Sequence, residues 1–336
     1  MMPKKIAVLG AGSWGTAMAI MMARCGHQIT LWGHDPAHVE KLTQDHCNNE
    51  FLPGTDFPDT LSVSGDLALT VSEHTFLMVA VPSYAFRETL LKCQPHLAKD
   101  TILTWVTKGF ETGSGLLTHE VALETLGENM PIALISGPSF ALEVAQGLPT
   151  AVIVASPDIA IATQVANTIR SPRFLAFPSM SIVSAEIAGS MKNILAIAAG
   201  ISDGLGYGAN ARAALITLGL TEIVQLGKIY ACSESSFLGL AGMGDLVLTC
   251  TDNKSRNRRL GLQLGQGKTV AEAKNSIGQE VEGIHAAREV HAICQKQSLD
   301  VPICSQVYRI LYDGLSPDVA VRYLLTRAQK TGAPLG

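Results

Sequence analysis

Short apolar runs alternate with stretches of helical periodicity through the first half of the chain. Lys5–Leu9 is an aliphatic run that ends at Gly10, a pattern typical of a buried parallel strand. Residues 13–25 have the spacing of a helix rich in Ala and Met, and Gly26 closes it. The same alternation predicts further strands at 28–32, 75–81, 101–106, 131–136 and 150–155, with helices at 83–93, 114–126 and 158–170.

The pattern changes near Phe177-Pro178, beyond which helical periodicity dominates and strand patterns are almost absent. The last predicted helix has Ser316 as its N-cap and Pro317 at its first position. Helices are predicted at 181–201, 209–226, 270–275, 283–296 and 316–330. We therefore predict a doubly wound α/β domain of right-handed βαβ units at 1–178, followed by an all-α domain at 179–336.

Composition narrows the class of protein. The chain has 336 residues, 47% of them apolar, and its 25 Lys+Arg against 29 Asp+Glu give a net charge of −4. This length favours two domains, the acidic balance argues against a nucleic-acid binder, and the apolar fraction excludes a disordered chain. The seven cysteines form no C-x-x-C pair, so they are expected to be reduced thiols in a cytosolic protein, and no metal site is predicted.

The N-terminal apolar stretch does not resemble a secretory signal. Gly10, Gly12 and Gly15 interrupt it, and no long uninterrupted apolar helix follows. No segment of the ~20 apolar residues that a bilayer requires is evident elsewhere, so we expect a cytoplasmic protein without membrane insertion.

The glycines of Gly10-Ala-Gly12-Ser-Trp-Gly15 match G-x-G-x-x-G between a predicted strand and a predicted helix. In this context Gly10 permits a tight turn, Gly12 lets the backbone approach a pyrophosphate, and Gly15 allows close packing of helix on sheet. The pyrophosphate is expected on the helix N-terminus, facing the N–H groups of Ser13 and Trp14. The first domain is therefore predicted to be Rossmann-like and to bind a dinucleotide.

The identity of the dinucleotide stays open at this point. Asp35, after the second predicted strand, could accept from a ribose hydroxyl, but because it precedes Pro36 it could equally begin a turn. No arginine is present there for a 2′-phosphate, and His34 is the one candidate cation. Both NAD and NADP remain possible.

Lys192 is the one cation on the predicted helix 181–201. Small residues lie one or two turns away on or near its face, namely Ala185, Ala188, Gly189, Ala196 and Ala199. A lysine in such a poorly solvated slot has a lowered pKa and suits proton transfer in a carbonyl/alcohol couple. The alternative is a surface lysine whose stem covers apolar area.

Two features near residue 250 support a chemical site. Asp245 is a single acid in an apolar, glycine-rich stretch, and it shares a face with Thr249 if that stretch is helical. Arg256 and Asn257 offer donors suited to a phosphate, whereas Arg258 and Arg259 are assigned to a solvated basic face. Two loops that follow predicted strands could contact a ligand or be ordinary loops, and the residues alone do not decide between these. They are Lys108-Gly109 and Gly137-Pro138-Ser139-Phe140.

Five motifs in register resemble those of the bacterial NAD(P)-dependent glycerol-3-phosphate dehydrogenases over residues 4–327. They are the glycine motif at 10–15, Gly-Pro-Ser-Phe-Ala at 137–141, Lys-Asn-Ile-Leu-Ala at 192–196, Gly-Leu-Ala-Gly-Met-Gly-Asp-Leu at 239–246 and Ser-Arg-Asn-Arg-Arg at 255–259. The resemblance implies a cytoplasmic enzyme that interconverts sn-glycerol 3-phosphate and dihydroxyacetone phosphate for phospholipid biosynthesis.

The resemblance also implies roles for individual residues. Lys192 would be the proton acceptor and donor at the C2 oxygen, Lys108 and Asn193 would orient that oxygen, and Asp245 and Thr249 would position Lys192. The substrate would be held by Lys108, Gly137, Ser139, Lys192, Asp245, Ser255, Arg256 and Asn257. The cofactor would be lined by Gly10, Gly12, Ser13, Trp14, Gly15, His34, Lys108, Ala141, Arg256, Glu280 and Glu282.

Two rival functions are weighed against this one. A 3-hydroxyacyl-CoA or hydroxyacid dehydrogenase is expected to use a different constellation, often a histidine, and apart from His34 the histidines lie outside the motifs. A dinucleotide sensor without turnover would not need Lys192, Asp245 and Arg256 together. The resemblance makes NADP slightly preferred over NAD, and the apolar helical half suggests a homodimer.

Overall fold

The computed structural model describes residues 3–331, with side chains to residue 327. Its backbone divides into two compact units, one of residues 3–107 and 118–182, the other of Lys108–Leu117 and the chain from Val183 onward. The predicted domain boundary at residue 178 precedes the observed one at residue 182. Residues 108–117 belong to the helical unit, although they were predicted to lie in the first domain. Phe110 and Leu117 of that segment are buried in the core of the helical unit, which explains its grouping.

The first unit contains the strands. Those of the main sheet are β1 (Lys5–Leu9), β2 (Gln28–Trp32), β5 (Leu61–Ser64), β6 (Phe76–Val79), β7 (Ile102–Trp105), β8 (Ile132–Ser136), β9 (Thr150–Ala155) and β10 (Phe174–Ser179), and β3 (Cys47–Asn48) pairs with β4 (Leu52–Asp56) in a hairpin. The sheet order is β10-β9-β8-β7-β6-β1-β2-β5. The neighbouring strands β8, β7, β6, β1, β2 and β5 are all parallel to one another, which confirms the predicted Rossmann-like arrangement.

The far edge of the sheet departs from the all-parallel prediction. β9 is antiparallel to β8, and β10 is parallel to β9. Parallel neighbours are usually joined by a crossover that contains a full helix, but the helix between β8 and β9 has only five residues. The chain therefore turns back on itself there and resumes a βαβ unit from β9 to β10.

Helices of the first unit pack on this sheet: α1 (Ser13–Arg24), α2 (Pro36–Asp45), α3 (Leu67–Ser72), α4 (Ser83–Cys93), α5 (Thr118–Leu126), α6 (Ala141–Ala145) and α7 (Ile159–Ile169). The core is aliphatic, and α1 supplies much of it because every residue from Gly15 to Ala23 is buried. The predicted helix 114–126 begins only at Thr118, since the residues before it belong to the other unit. The elements from α2 to α3, α6 and β10 were not predicted.

In the described part of the second unit all regular secondary structure is helical, as predicted. Its helices are α8 (Ile182–Gly204), α9 (Gly208–Ile229), α10 (Asp245–Thr251), α11 (Arg256–Gly265), α12 (Val270–Ile277), α13 (Glu282–Gln297), α14 (Pro302–Tyr312) and α15 (Pro317–Thr331). A π-helical turn at Leu240–Gly244 leads directly into α10. The helices α10, α11 and α14 were absent from the prediction.

The helix α8 corrects the expectation that the chain has no segment long and apolar enough to span a bilayer. Among the described residues it is the one helix that meets both criteria. Its most apolar stretch is 94% buried inside the protein, as in the core helix of a globular domain.

Candidate active site

The three glycines of the β1–α1 turn meet three different environments. Gly10 has φ +122°, and a Cβ there would lie 2.7 Å from the carbonyl oxygen of Ala80. A Cβ on Gly15 would lie 1.9 Å from the carbonyl oxygen of Gly10, so helix and turn are in backbone contact. A Cβ on Gly12 would meet no atom within 4 Å. These are the geometries expected for the turn, for close packing and for ligand approach, so the loop fits a dinucleotide pyrophosphate.

Asn48 supports this loop and was missed from the sequence. Its buried Nδ2 donates to the carbonyl oxygen of Ala11 at 2.9 Å and to Oγ1 of Thr16 at 2.8 Å. Its Oδ1 accepts from the N–H of Phe51 at 3.1 Å, so the amide joins the glycine turn to the β3–β4 hairpin. A polar residue in a short, irregular stretch carries no pattern that could have revealed this role.

The residues after β2 decide between the two interpretations of Asp35. Its Oδ1 accepts from the N–H of Ala37 at 3.0 Å, so Asp35 is the N-cap of α2, with Pro36 at the first helical position. His34 is exposed just before this cap. At the start of α1 the hydroxyl of Ser13 donates to the carbonyl oxygen of Phe51 at 2.7 Å, and Trp14 is partly buried.

The predicted loop at 137–141 follows β8. Gly137 has φ +148°, and a Cβ there would lie 3.0 Å from Cα of Val152, so glycine is required. The hydroxyl of Ser139 donates to the carbonyl oxygen of Gly137 at 2.9 Å, and Ala141 is the first residue of α6. The loop is thus held in one shape by its own hydrogen bond.

In the helical unit two lysines share one buried carboxylate. Nζ of Lys192 lies 2.5 Å from Oδ1 of Asp245, and Nζ of Lys108 lies 2.6 Å from Oδ2. The side chains of Lys192 and Asp245 are 9% and 1% exposed. Thr249, one turn after Asp245 on α10, accepts a further hydrogen bond from Lys192 at 3.1 Å. Lys192 is therefore buried, as in the first of its two interpretations, and Asp245 and Thr249 share a helical face because their stretch forms α10.

The two lysines differ in acidity. Burial lowers the pKa of Lys192 to about 8, against the raising effect of the Asp245 carboxylate and with a further lowering by the charge of Lys108. Burial acts on Lys108 too, but Asp245 outweighs it and raises the pKa of Lys108. Burial favours the neutral acid at Asp245, yet the two ammonium groups hold its pKa below the usual range. Of the two lysines, Lys192 is therefore the one that titrates near neutral pH.

Two asparagines beside this cluster form a hydrogen-bonded chain with a defined direction. The N–H of Gly283 donates to Oδ1 of Asn257 at 2.9 Å, Nδ2 of Asn257 donates to Oδ1 of Asn193 at 2.9 Å, and Nδ2 of Asn193 donates to Oε2 of Glu282 at 3.2 Å. A backbone donor at one end and a carboxylate at the other fix both amides. Each Nδ2 therefore keeps one N–H for a ligand.

The N-terminus of α11 carries the predicted phosphate-binding residues. Ser255 is its N-cap and accepts from the N–H of Arg258 at 3.2 Å. Arg256, at the first helical position, is partly buried and has no hydrogen-bond or ion-pair partner among the described side chains. A free guanidinium at a helix N-terminus, where backbone N–H groups and the helix dipole both favour anions, is suited to a phosphate.

Arg258 was wrongly assigned to a solvated basic face. It is 7% exposed, and its guanidinium pairs with Asp203 in the last turn of α8. The contact joins residues 55 apart, which no local pattern reveals. Arg259 is only partly buried.

Glycines bring α8 and α11 into direct backbone contact. A Cβ on Gly200 would lie 2.1 Å from the carbonyl oxygen of Arg258, and one on Gly261 would lie 2.0 Å from that of Ile197. This crossing holds the helix of Lys192 and Asn193 against the helix of Arg256 and Asn257.

On the segment before α13, Oε1 of Glu280 lies 3.2 Å from Nε2 of His285, a hydrogen bond that lowers the pKa of the Glu280 carboxyl.

Comparisons with known proteins agree with these geometries. Residues 5–162 match the N-terminal part, and residues 181–322 the C-terminal part, of NAD-dependent glycerol-3-phosphate dehydrogenase. The chain is 50% identical over 326 residues to an NAD(P)+ glycerol-3-phosphate dehydrogenase of Tolumonas auensis, covering 97% of this chain and 98% of the relative. A Yersinia pestis relative of the same name is 48% identical over 329 residues, covering 98% and 97%. The crystal structure of glycerol-3-phosphate dehydrogenase from Coxiella burnetii is 45% identical with a TM-score of 0.93, covering 96% of this chain and 99% of that one.

Proposed function

Because the chain belongs to the NAD-dependent glycerol-3-phosphate dehydrogenase family, we propose that Lys192 is the general acid and base of its reaction. That reaction oxidises the C2 hydroxyl of sn-glycerol 3-phosphate to the ketone of dihydroxyacetone phosphate, and its reverse supplies the glycerol backbone of phospholipids. A bound NAD or NADP supplies the hydride acceptor, and its reduced form the hydride.

The observation that carries the proposal is the arrangement of hydrogen bonds around Nζ of Lys192. An ammonium group has three N–H donors, and two of them are directed at Asp245 and Thr249. The hydroxyl proton of Thr249 is itself donated to the carbonyl oxygen of Asp245 at 2.6 Å, so its oxygen must act as an acceptor toward Lys192. The third tetrahedral position of Nζ is left for the substrate oxygen.

This third position serves both directions of the reaction. In the ammonium form it holds an N–H that donates to the C2 carbonyl and stabilises the developing alkoxide. In the neutral amine it holds the lone pair that accepts the proton of the C2 hydroxyl. The hydrogen bonds to Asp245 and Thr249 persist in both forms, so proton transfer requires no rearrangement of the lysine.

Lys108 and Asn193 orient the C2 oxygen in this proposal. Lys108 stays cationic because Asp245 raises its pKa, so it provides a constant positive charge beside Lys192. Asn193 directs one N–H at Glu282 and retains the other for the substrate. Neither group needs to exchange a proton during the reaction.

The substrate phosphate binds at the N-terminus of α11. Arg256 supplies a guanidinium that has no partner among the described side chains, Asn257 supplies its remaining N–H, and the N-cap Ser255 shapes the first turn. Binding energy from a remote phosphate can be used to orient the reacting carbon. A substrate without phosphate should therefore lose turnover as well as affinity. Gly137 and Ser139 are proposed as further substrate contacts from the resemblance alone.

The dinucleotide binds at the glycine turn, with Gly12 open to the pyrophosphate and the N–H groups of Ser13 and Trp14 in the first turn of α1. His34, Ala141, Lys108, Arg256, Glu280 and Glu282 complete the proposed set. Asp35 is occupied as a helix cap, which leaves the exposed His34 as the group able to meet a 2′-phosphate. We therefore expect NADPH to be used somewhat better than NADH.

The chain is further proposed to act as a cytoplasmic homodimer. A cleft of about 210 Å³ between α8, α9, α14 and α15 is lined mostly by aliphatic side chains, and Tyr323 and Leu325 are exposed on α15. A surface of this kind is typical of an interface between subunits. Sedimentation equilibrium tests it, since Leu325→Glu should shift a dimer toward monomer while the matched exposed variant Leu91→Glu should not.

The reaction is tested by following reduced-nicotinamide absorbance with dihydroxyacetone phosphate, unphosphorylated dihydroxyacetone and glyceraldehyde 3-phosphate, each with NADH and NADPH. We expect fast turnover with dihydroxyacetone phosphate alone. Lys192→Met should lose at least a thousandfold in kcat and still bind NADPH, whereas Lys228→Met, at an exposed lysine of α9, should match the wild type. Turnover by Lys192→Met near the wild-type rate would refute the assignment.

A further inference from the structure

Arg258 is a buried arginine, and each of its three guanidinium nitrogens donates a hydrogen bond within the protein. Its Nε donates to the carbonyl oxygen of Cys250 at 3.0 Å, one terminal nitrogen donates to Oδ1 of Asn253, and the other to Oδ2 of Asp203. The residue is 7% exposed, and the Asp203 side chain is nearly as buried. A buried charge is tolerated when it is paired and hydrogen-bonded in this way.

The three acceptors lie on the segments that carry the candidate active site. Cys250 directly follows Thr249 on α10, Asn253 lies in the loop that leads to the N-cap of α11, and Asp203 lies on α8, eleven residues after Lys192. Asp203 is also held from α9, since Arg212 donates to both of its oxygens at 2.9 and 2.7 Å. One guanidinium therefore joins three segments of the site.

Arg256 and Arg258 are separated by one residue but are used in opposite ways. The guanidinium of Arg256 has no partner among the described side chains, whereas that of Arg258 is neutralised by Asp203. Since each guanidinium nitrogen of Arg258 is engaged and its charge is paired with Asp203, Arg258 acts on a ligand through the backbone that it holds. That backbone includes the first turn of α11 and the carbonyl end of α10.

We propose that Arg258 and Asp203 position the phosphate-binding turn of α11 against the helices of Lys192 and Asp245. Arg258 is thus a positioning residue that sets the distance between the anchored phosphate and the reacting C2 atom. This inference rests on the proposed function of the α11 N-terminus. Since orientation of C2 depends on where the phosphate is held, a displaced turn should impair the phosphorylated substrate specifically.

Lysine cannot replace this arginine, although it keeps the positive charge. The planar guanidinium meets three acceptors in fixed directions, whereas an ammonium on a flexible stem meets them at best one or two at a time. Arg258→Lys should therefore loosen the turn without leaving an unpaired carboxylate at Asp203. Asp203→Asn weakens the same contact from the other side and keeps the oxygen acceptor.

The test compares Arg258→Lys and Asp203→Asn with the wild type on dihydroxyacetone phosphate and on unphosphorylated dihydroxyacetone. We expect kcat/KM for the phosphorylated substrate to fall at least thirtyfold in Arg258→Lys, with KM raised about tenfold. The slow turnover of dihydroxyacetone should change less than threefold, and the Kd for NADPH should not change. Asp203→Asn should show the same pattern to a smaller degree, and Arg322→Lys, at an exposed ion pair on α15, should show no change.

Other outcomes separate the failure of this inference from the failure of the function on which it rests. Equal losses on both substrates would reduce Arg258 to a general structural role, and unchanged kinetics in both variants would remove any positioning role. A wild type that does not prefer the phosphorylated substrate would instead overturn the phosphate site at α11. If Arg258→Lys does not fold, Asp203→Asn carries the same comparison with Arg258 intact.

Discussion

The side-chain amide of Asn257 donates a hydrogen bond of 2.9 Å to Oδ1 of Asn193. The two residues belong to α11 and α8, the helices proposed to hold the substrate phosphate and to carry the proton-transferring lysine. The donors point in one direction along the chain of hydrogen bonds from Gly283 to Glu282. Neither amide can therefore be flipped without placing two acceptors or two donors face to face. The two halves of the proposed substrate site are thus connected by a polar network of fixed orientation.

Asn193→Asp should break this network with almost no change in side-chain volume. The new carboxylate faces Glu282 where a donor stood, and it adds a negative charge near Lys192. We expect kcat to fall about a hundredfold and the pKa of Lys192 to rise, with little change in NADPH affinity. Steady-state kinetics across pH measures both effects. Asn275→Asp, at an exposed position of α12, is the control, and a variant with wild-type kcat would contradict the role of the network.

The direction of the reaction should determine the sign of its pH dependence. In the proposed mechanism, reduction of dihydroxyacetone phosphate needs the protonated form of Lys192, so its kcat/KM should fall by about tenfold per pH unit above about pH 8. Oxidation of sn-glycerol 3-phosphate needs the neutral amine, so its kcat/KM should rise through the same midpoint. Profiles measured in both directions on one preparation test this, and parallel limbs in the two directions would exclude a single acid–base group.

Removal of the neighbouring charge should move that midpoint. Burial lowers the pKa of Lys192, Asp245 opposes this, and the positive charge of Lys108 lowers it further. Lys108→Met should therefore shift the midpoint of both profiles to higher pH, even though the rates themselves fall. Lys92→Met, at an exposed lysine of α4, should leave the midpoint in place. A shift to lower pH in Lys108→Met would contradict the proposed coupling of the two lysines.

Much of the fold could be predicted because its periodicity is local. The buried runs that form β1, β2 and β6 to β9 end in turn residues, and α9 and α13 have clear helical spacing. Apart from α2, the elements between β2 and β6 have at most six residues, too few to show a clear period. The strand β10 has exposed Leu175 and Phe177 and includes Pro178, which argues against a strand. The start of α2 could have been found, since Asp35-Pro36 is the same kind of helix signal as Ser316-Pro317.

The residues of the candidate site likewise include some that the local sequence reveals and others that it does not. Lys192 and Asp245 could be singled out because each is an isolated charge in an apolar segment, which local composition shows. The burial of Arg258 could not be predicted, because it depends on Asp203 far away in sequence, and three arginines within four residues resemble a solvated face. Asn48 was missed for the same reason, since its partners lie on a turn formed by distant residues.

Gly200→Ala should destabilise the helical unit. Alanine is intrinsically better than glycine in a helix by about 1 kcal/mol, but a Cβ here would lie 2.1 Å from the carbonyl oxygen of Arg258 and 2.7 Å from the N–H nitrogen of Leu262. The overpacking should dominate and cost about 3 kcal/mol. Thermal unfolding checks this against Gly239→Ala, whose Cβ would meet no atom within 4 Å. Equal melting temperatures for the two variants would contradict the close crossing of α8 and α11.

Glu222 should make stability depend on pH. Its carboxylate, 3% exposed on α9, accepts from the N–H groups of Ile303 and Cys304 at 2.6 and 3.0 Å, yet burial raises its pKa to about 7. The folded state thus favours the protonated acid, so its contribution is full below about pH 4.5 and is lost as pH rises through about 7. The loss amounts to about 3 kcal/mol.

Measurement of the free energy of unfolding for the wild type and Glu222→Gln isolates this contribution, because the other titrating groups cancel in the difference. The wild type should lose stability relative to Glu222→Gln between pH 5 and pH 7.5. A difference that stays constant with pH would show that the Glu222 carboxyl does not titrate in this range.

The glycine turn offers a matched pair of substitutions that separates binding from stability. Gly12 has φ −77° and open space where its Cβ would lie, so Gly12→Ala should change stability by no more than about 1 kcal/mol. The added methyl group would nevertheless occupy the approach of the pyrophosphate, so the Kd for NADPH should rise at least tenfold. Gly15→Ala places a Cβ 1.9 Å from the carbonyl oxygen of Gly10 and should instead lower the melting temperature of the protein. Fluorescence titration with NADPH and thermal unfolding of both variants test the pair, and unchanged NADPH affinity in Gly12→Ala would place the pyrophosphate elsewhere.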